Sequence, residues 1–255
     1  MKNLRTYLVM GAMAIACSAS AQFVNSGSSS SVRSISSVNT NGWERFYVEY
    51  NPTKLKIDVK NADDFDFKGL TFGYMKGISV TNKIPLFVEA GAGLQFRTYK
   101  DESDEFELLD DGSTFFQKYR VNLFSINIPV NLVYKWQIND KLSLSPYFGL
   151  DFRINVVGKE KVDVEFDWGT QETASIEDEL RETLEEEGYI YDSNLFDKDD
   201  MGKDGKWKRF QAGWHIGANL DYNHFNVGIG YGSDFNEVFD KAKFSTTSIR
   251  VGYNF

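Results

Sequence analysis

The sequence predicts an all-β protein that folds as an eight-stranded antiparallel β-barrel. Three observations support this prediction: eight segments alternate apolar and polar residues, the connections between them alternate in length, and the number of segments is even. A period of two places successive side chains on opposite faces of a strand, whereas a helix repeats after about 3.6 residues. An even number of antiparallel strands gathers the short turns at one end of a barrel and the long loops at the other.

The clearest alternation lies in residues 142–156, where one face is entirely apolar and the other is polar or small. The apolar face consists of Leu142, Leu144, Pro146, Phe148, Leu150, Phe152, Ile154 and Val156. The same pattern predicts further strands at 86–99, 122–136, 210–222, 225–231 and 245–255, and more weakly at 43–50 and 69–81. In the last of these segments Lys76 falls on the apolar face, which weakens the pattern there.

The connections between these strands fall into two groups. Short turns are predicted at 82–85, 139–141 and 223–224, and long polar connections at 51–68, 100–118, 158–208 and 232–243. The longest, 158–208, holds 17 acidic and 7 basic residues and predicts a solvated acidic loop outside the cell. Within it, residues 175–187 predict a short helix with Ser175 as its N-cap. Tight turns at one end and long loops at the other are typical of outer-membrane barrels.

The first 21 residues predict a secretory signal peptide that is cleaved after Ala21. Lys2 and Arg5 give a positively charged start, and residues 6–16 form an apolar run. The small residues Ala19-Ser20-Ala21 form the cleavage site. Cleavage there would remove Cys17, whereas a lipoprotein signal, the competing interpretation, would retain it. Residues 22–42 predict a flexible Ser-rich leader, and residues 43–255 predict the barrel itself.

The composition excludes several classes of protein. With 28 basic and 37 acidic residues the chain has a formal charge of −9, which argues against nucleic-acid binding. One cysteine and two histidines are too few for a Cys/His zinc site. The sequence contains no nucleophile elbow and no phosphate-binding loop. It therefore predicts no cofactor, with weakly bound Ca²⁺ as the one open alternative.

Alternation alone allows two kinds of barrel, which differ in the face that lies outside. A lipocalin-type barrel is soluble and keeps its apolar face inside, whereas an outer-membrane barrel turns that face to lipid. Several predicted strands exceed the roughly 9–11 residues that a bilayer requires, and their polar faces are rich in charge and glycine. The apolar stripes end in aromatic residues, as an interfacial girdle does: Tyr134, Trp136, Tyr222, Phe225, Tyr253 and Phe255. These features predict a transmembrane barrel surrounded by outer-membrane lipid.

The last residues of the chain carry a more specific resemblance. Ile249, Val251, Tyr253 and the terminal Phe255 alternate with polar or small residues. This segment resembles the C-terminal signal of outer-membrane proteins, and the resemblance implies the barrel assembly machinery as a partner during insertion. More broadly, residues 43–255 resemble the small eight-stranded barrels of the Bacteroidota, the PorT-like or outer-membrane β-barrel domain proteins. That resemblance implies a fold and a location in the outer membrane, but no activity.

Charged residues on the polar faces of the strands form the first candidate site. Those selected as lining the interior are Glu89, Arg97, Asp151, Arg153 and Arg250, with Asp221 on the same face of its strand. Because buried charges need partners, the sequence predicts a paired network that fills a narrow barrel. The alternative is a lining that selects ions for passage.

Two further groups of residues are candidate sites. Asp197, Asp199, Asp200 and Asp204 resemble a calcium loop, but Met201 and Lys208 stand where an EF-hand requires oxygen ligands, so only weak Ca²⁺ binding is predicted. His215 lies on a polar strand face and could pair with Asp151 or Glu89, as an enzyme at the barrel rim would require.

The function predicted from these observations is non-enzymatic: a structural, adhesive or binding role through acidic surface loops. An accessory role in secretion or outer-membrane assembly, and a rim enzyme, are the alternatives.

Overall fold

The computed structural model describes residues 41–60, 62–103, 105–107, 112–168 and 176–255. They form twelve strands and two helices: β1 (Trp43–Tyr50), β2 (Thr53–Ile57), β3 (Phe65–Ser79), β4 (Leu86–Glu102), β5 (Phe106–Glu107), β6 (Thr114–Tyr134), β7 (Trp136–Gln137), β8 (Leu142–Asp167), α1 (Glu177–Glu186), β9 (Tyr191–Asn194), α2 (Lys198–Gly205), β10 (Phe210–Tyr222), β11 (Phe225–Asp234) and β12 (Ala242–Asn254). The predicted signal peptide and most of the predicted leader lie outside the described residues.

Eight strands close into an antiparallel ring, which confirms the predicted fold class. Neighbours around the ring are β1, β3, β4, β6, β8, β10, β11 and β12, and β12 pairs back onto β1. Strand β2 continues the position of β1, because it also pairs with β12 and β3. The three predicted short turns lie at one end of the ring, and both β1 and β12 have their chain-terminal residues at that end.

The membrane-spanning part of the barrel turns its apolar side chains outward. Large outward-facing side chains include Phe46, Phe72, Leu94, Ile229 and Val251. The interior is polar, with buried side chains that include Thr71, Gln95, Ser125, Asn127 and Asn219. This polarity excludes the soluble barrel and confirms the transmembrane one. Separately, neither helix in the described part of the chain is long and apolar enough to cross a bilayer.

The end with the short turns carries the predicted aromatic girdle. All six predicted aromatic residues are exposed on the outer face there. Lys76, which weakened the pattern of β3, also points outward at this end and forms an ion pair of 2.8 Å with Glu44. A long basic side chain can reach the interface while its stem covers apolar surface, so Lys76 is compatible with the lipid-facing row.

Glycines inside the barrel make room for two buried tyrosines. A Cβ atom on Gly73 would lie 2.5 Å from the hydroxyl of Tyr47, and one on Gly217 would lie 2.5 Å from that of Tyr147. Each glycine is the register partner of its tyrosine on the adjacent strand, so each ring lies flat against the neighbouring strand, as a narrow eight-stranded interior requires.

Several strands are longer than the sequence predicted. Strand β8 continues to Asp167 rather than ending at Val156, and β6 begins at Thr114 rather than at 122. The predicted loops 100–118 and 158–208 are therefore partly strand. Since a bilayer needs only about 9–11 residues per strand, the surplus stands above the membrane. We call this part, on the side of the long connections, the extracellular extension.

A β-bulge in β8 marks the base of this extension. Phe124 pairs with Val157 and Ser125 pairs with Asn155, so Val156 is an extra residue without a register partner on β6. Val156 and Val157 both face outward, and from Gly158 onward the even-numbered residues of β8 face the interior. The bulge thus turns Lys159 and the residues after it to the face opposite the one that a continuous alternation predicts.

The extracellular extension reverses the polarity of the membrane part. Its interior holds an apolar core of ten buried residues: Leu55, Phe67, Val121, Leu123, Leu195, Phe196, Trp207, Val238, Ala242 and Phe244. Its outer face carries charged residues such as Lys56, Lys68 and Arg120, which are exposed. Outside the membrane, water surrounds the wall, so apolar residues gain by facing inward.

The chain between β8 and β10 closes the top of this core. Strand β9 pairs with the extension of β8, and Leu195, Phe196 and Trp207 follow it into the core. The amide of Leu195 donates to the carbonyl of Gly158 (3.1 Å), and that of Trp207 donates to the carbonyl of Leu195 (2.8 Å). We call segment 195–207 the cap.

The short helix predicted within 175–187 is confirmed as α1. Its N-cap residue is Ile176, which makes no side-chain capping hydrogen bond, and the predicted cap residue Ser175 lies outside the described residues. Three acidic residues in the first turn, including Glu177, interact favourably with the positive N-terminal end of the helix dipole. They stabilise this end although no side chain caps it.

Candidate functional site

The interior of the barrel holds its charges in three layers, of which the lowest is centred on Arg45. The Arg45 guanidinium lies 3.2 Å from Glu89 Oε1 and 3.0 Å from Asp221 Oδ1, and its Nε donates to Asn254 Oδ1 (2.7 Å). Arg45 and Glu89 are almost completely buried. One cation therefore pairs with two carboxylates from distant strands and offsets one of their two negative charges.

Each carboxylate of this layer accepts further hydrogen bonds. Asp221 accepts from the side-chain amides of Asn226 (2.8 Å) and Asn254 (3.0 Å). Glu89 accepts from Trp43 Nε1 (2.8 Å) and from Asn131 Nδ2 (3.0 Å). A buried charge is tolerated when its oxygens are hydrogen-bonded as well as paired, and both conditions are met here.

The middle and upper layers each contain one close ion pair. Arg250 Nε donates to Glu49 Oε2 (2.7 Å) in the middle layer. In the upper layer, next to the apolar core, Arg153 Nη2 lies 2.6 and 2.8 Å from the two oxygens of Asp234. The Phe244 ring covers this layer, with the guanidinium of Arg153 5.6 Å from its centroid.

All five residues predicted to line the interior do face it, but none of their ion pairs joins two members of this set. Arg153 pairs with Asp234 rather than with Asp151, and Asp151 takes part in no ion pair among the described residues. Arg97 is fully buried and lies 5.0 Å from the ring centroid of Phe244, with no hydrogen-bond partner in the described chain for its Nε and Nη1.

Three partners were missed by the sequence reasoning: Arg45, Glu49 and Asp234. Arg45 and Glu49 occupy the polar face of the weak segment 43–50, so strict period-two counting would have found them. Asp234 was assigned to a long loop, because the run before it, 230–233, has little apolar character.

A small polar cavity of about 50 Å³ lies between the middle and upper layers. Arg97, Asp151 and Gln95 line it, and each has at least one buried polar atom without a hydrogen-bond partner in the described residues. A space of this size holds a few water molecules, which would satisfy such atoms. The apolar core closes the interior above the cavity, and Trp43, packed with Phe87, closes it below.

We expect this closed interior to conduct poorly. The purified protein in planar bilayers should show little stable conductance, because paired side chains and the apolar core obstruct the lumen. A porin of 16 or so strands, inserted under the same conditions, provides the positive control. Reproducible large current steps from this protein would show that the interior opens in a membrane.

The site proposed for a rim enzyme is not assembled in the described residues. His215 is partly buried in the interior, where its Nε2 contacts Asn131 Oδ1 and its ring packs edge-on against Tyr147 (5.7 Å between centroids). It makes no hydrogen bond to either predicted partner, Asp151 or Glu89. The imidazole therefore belongs to the packed interior rather than to an open cleft.

Two of the four predicted Ca²⁺ ligands serve as structural acceptors. Asp197 caps α2 by accepting from the amide of Asp199 (2.9 Å), and Asp200 accepts from the amide of Asn194 (2.7 Å). The side chain of Asp204 lies outside the described residues. Where the chain is described, no group of three His, Cys, Asp or Glu side chains could hold a metal ion. Weak Ca²⁺ binding stays a prediction.

The predicted assembly signal forms the outer face of β12. Ile249, Val251, Tyr253 and Phe255 all point outward and are exposed. The amide of Phe255 donates to the carbonyl of Glu44 (2.9 Å), which links the chain end to β1 where the ring closes. Its ring also packs edge-on against Phe46 (5.4 Å between centroids).

Replacing Phe255 with serine should reduce insertion into the outer membrane, because this residue completes both the barrel seam and the apparent signal. The readout is the heat-modifiable band on gels of membrane fractions at normal expression. Phe235→Ser, which changes an exposed phenylalanine outside β12, is the matched control. Equal insertion of both variants would contradict a signal role for Phe255.

The acidic helix α1 is fastened to the outer wall by one arginine. Arg181 donates to Glu177 Oε1 (2.9 Å), Asp163 Oδ1 (3.2 Å) and the carbonyl of Val164 (2.8 Å). Hydrogen bonds from Trp168 and then from Arg181 lower the pKa of Glu177 below its ordinary value of 4.5. Glu177 thus stays ionised, and the tie is preserved, down to a lower pH than for an isolated glutamate.

A closed ring of eight strands, an apolar outer band and a charged, packed interior define an outer-membrane β-barrel protein. Residues 45–240 match the family described as "Outer membrane protein beta-barrel domain", and the chain belongs to this family. No curated protein matches the sequence.

Several solved outer-membrane barrels are similar in fold. Ail, the attachment invasion locus protein of Yersinia pestis, was solved in complex with the heparin analogue sucrose octasulfate; it is 16% identical, with 84% of this chain and 99% of Ail covered and a TM-score of 0.36. Neisserial surface protein A is 12% identical, with 83% and 97% covered and a TM-score of 0.39. The Escherichia coli outer membrane protease OmpT is 10% identical, with 85% and 98% covered and a TM-score of 0.32.

Proposed function

We propose that the protein is a non-enzymatic outer-membrane binding protein that presents a fixed acidic surface to the outside of the cell. The observation that carries this proposal is α1, an acidic helix that Arg181 ties to the wall of the barrel. Six carboxylates are exposed on α1 and on Glu187, the residue that follows it; the five within the helix are Asp178, Glu179, Glu182, Glu185 and Glu186. The surface chemistry suits a cationic partner, such as a basic segment of another protein.

The charge pattern of α1 supports a binding role over a purely structural one. Asp178 and Glu182 are four residues apart, and so are Glu182 and Glu186. Like charges at this spacing destabilise a helix. α1 has no buried residue that would compensate, and no basic residue in its last turn. A partner of opposite charge would relieve this repulsion. A binding role would therefore explain why the helix carries these acidic residues.

The closed interior argues against transport as the alternative, and the packed position of His215 argues against a rim enzyme. Both observations favour a function on the outer surface.

The test compares cells that display the wild-type protein with cells that display Asp178→Asn/Glu182→Gln/Glu186→Gln. The probe is a fluorescent lysine-rich peptide. We expect the triple variant to bind it about tenfold or more weakly than the wild type does, and we expect this difference to shrink at high salt because salt screens the attraction. The control, Asp58→Asn/Asp66→Asn/Asp240→Asn, removes three exposed acidic residues of the extension outside α1. An equal loss for both variants would indicate only a general charge effect and would contradict the proposal. External protease should also cleave near α1 in intact cells, whereas the 139–141 turn should be spared.

A further inference from the structure

We propose that the outer wall of the extracellular extension binds the phosphate groups of phosphorylated lipids in the outer leaflet. The surface consists of five exposed or partly exposed basic residues on β3, β4, β6 and β8, which we call the basic wall: Lys68, Lys100, Arg120, Lys159 and Lys161. It differs from the acidic surface proposed above in charge and ligand, and the two surfaces meet at Asp163, which pairs with Arg181 of α1 and with Lys161.

Strand register places the basic wall directly above the lipid-facing band. Leu70, Phe96 and Phe124 lie side by side as the top apolar row. Two residues further along each strand, Lys68 pairs with Thr98, and Asn122 pairs with Lys159. With a rise of about 3.3 Å per residue and a strand tilt of about 40°, this second row lies about 5 Å above the apolar edge.

The next row contains only basic residues on three adjacent strands. Lys100 lies directly opposite Arg120, and Arg120 lies directly opposite Lys161. By the same geometry this row is about 10 Å above the apolar edge. Both rows therefore lie at the depth where lipid headgroups begin and extend outward.

Three like charges in one row are unfavourable by themselves. Directly opposed like charges destabilise a pair of strands. Acidic residues compensate the two lysines of β8: Lys161 pairs with Asp163 (3.3 Å), and Lys159 pairs with Asp192 (3.3 Å), which lies opposite Lys161 on β9. Lys68, Lys100 and Arg120, by contrast, take part in no ion pair within the described residues. An anion from outside the protein would compensate the charge.

The chemistry of the wall fits a phosphate. Arg120 stands in the centre, and a guanidinium can donate two parallel hydrogen bonds to a phosphate, while the flanking lysines supply point charges. Below it, Thr98 Oγ1 donates to Asn122 Oδ1 (2.9 Å), so the amide nitrogen of Asn122 is left to donate outward. Acyl chains of the same lipid would lie against the apolar row beneath, which favours a lipid over a soluble anion.

The test uses the full barrel in nanodiscs of zwitterionic phospholipid, with and without a diphosphorylated acyl-disaccharide lipid. We expect the phosphorylated lipid to raise the unfolding temperature of the wild type by about 5 °C. The same lipid without its phosphates, and inorganic phosphate alone, should give less than a quarter of that shift. These two arms distinguish a lipid headgroup from acyl-chain packing and from free phosphate.

The variant Lys100→Gln/Arg120→Gln/Lys161→Gln should lose the shift, yet in purely zwitterionic nanodiscs it should be at least as stable as the wild type, since the repulsion is removed. The control Lys83→Gln/Lys141→Gln/Lys206→Gln changes the total charge equally and should retain the shift. Equal stabilisation of the wild type and the wall variant by the phosphorylated lipid, or an equal shift with free phosphate, would overturn the proposal. So would an equal loss in the control.

Discussion

Replacing Arg45 with methionine is expected to cost about 3–5 kcal/mol of folding free energy, the range found when one partner of a buried ion pair is removed. The variant would leave Glu89 and Asp221 without their shared cation in the lowest layer of the interior. The measurement is urea unfolding of the protein refolded into lipid vesicles, followed by the heat-modifiable band. The stability of Arg45→Lys should lie between those of the wild type and Arg45→Met, because lysine retains the charge but cannot hydrogen-bond three partners with the fixed geometry of a guanidinium.

The matched control is Lys76→Met, which removes a cation from an ion pair on the outer face of the same barrel. Lys76 and Glu44 are both substantially exposed, so we expect a change of about 0–1 kcal/mol. If Arg45→Met proves no less stable than Lys76→Met, the buried network does not hold the barrel together.

Replacing Trp207 with alanine should open the cap without unfolding the barrel. Trp207 packs in the apolar core against Phe239 (5.5 Å between ring centroids) and Phe244 (6.0 Å). Truncating a buried tryptophan typically costs about 3–5 kcal/mol. In the extension we expect this cost to appear as local opening, since the membrane part has its own hydrogen-bonded ring.

Two readouts separate local opening from global unfolding. External protease should cleave the 191–210 region of Trp207→Ala faster in intact cells, whereas the heat-modifiable band should persist. Trp136→Ala removes an exposed tryptophan of the girdle and should leave the cleavage rate unchanged. Unchanged cleavage of Trp207→Ala would contradict the role of the cap residues in closing the core.

The membrane part of the fold could be predicted because lipid imposes a strict pattern on it. Every second residue from Leu142 to Ile154 had to be apolar, and the structure places these residues on the outer face. Above the membrane this constraint disappears, and the apolar residues change sides. Val162 and Val164 stand at even-numbered positions, as the apolar residues from Leu142 to Val156 do, but the bulge turns them inward. Residues 157–161 interrupt the apolar alternation between the two stretches, so the sequence predicted a loop there.

The interior charges could be predicted as a set but not as pairs. Period-two counting places Arg153 inside without information about neighbouring strands. Its partner, Asp234, lies 81 residues away, and their contact depends on how the strands are staggered around the ring. The stagger follows from many backbone contacts together, so no local pattern in the sequence reveals it.

The bulge at Val156 has a consequence for how this chain can change length. Deleting Val156 would remove the extra residue and restore a regular alternation, in which Val157 still faces outward opposite Phe124 and Lys159 and Lys161 stay outside. Deleting Lys159 while the bulge remains would instead turn Lys161 into the apolar core and Val162 into water. Natural variants of this wall should therefore differ in length by one residue only at the bulge, and by even numbers of residues elsewhere.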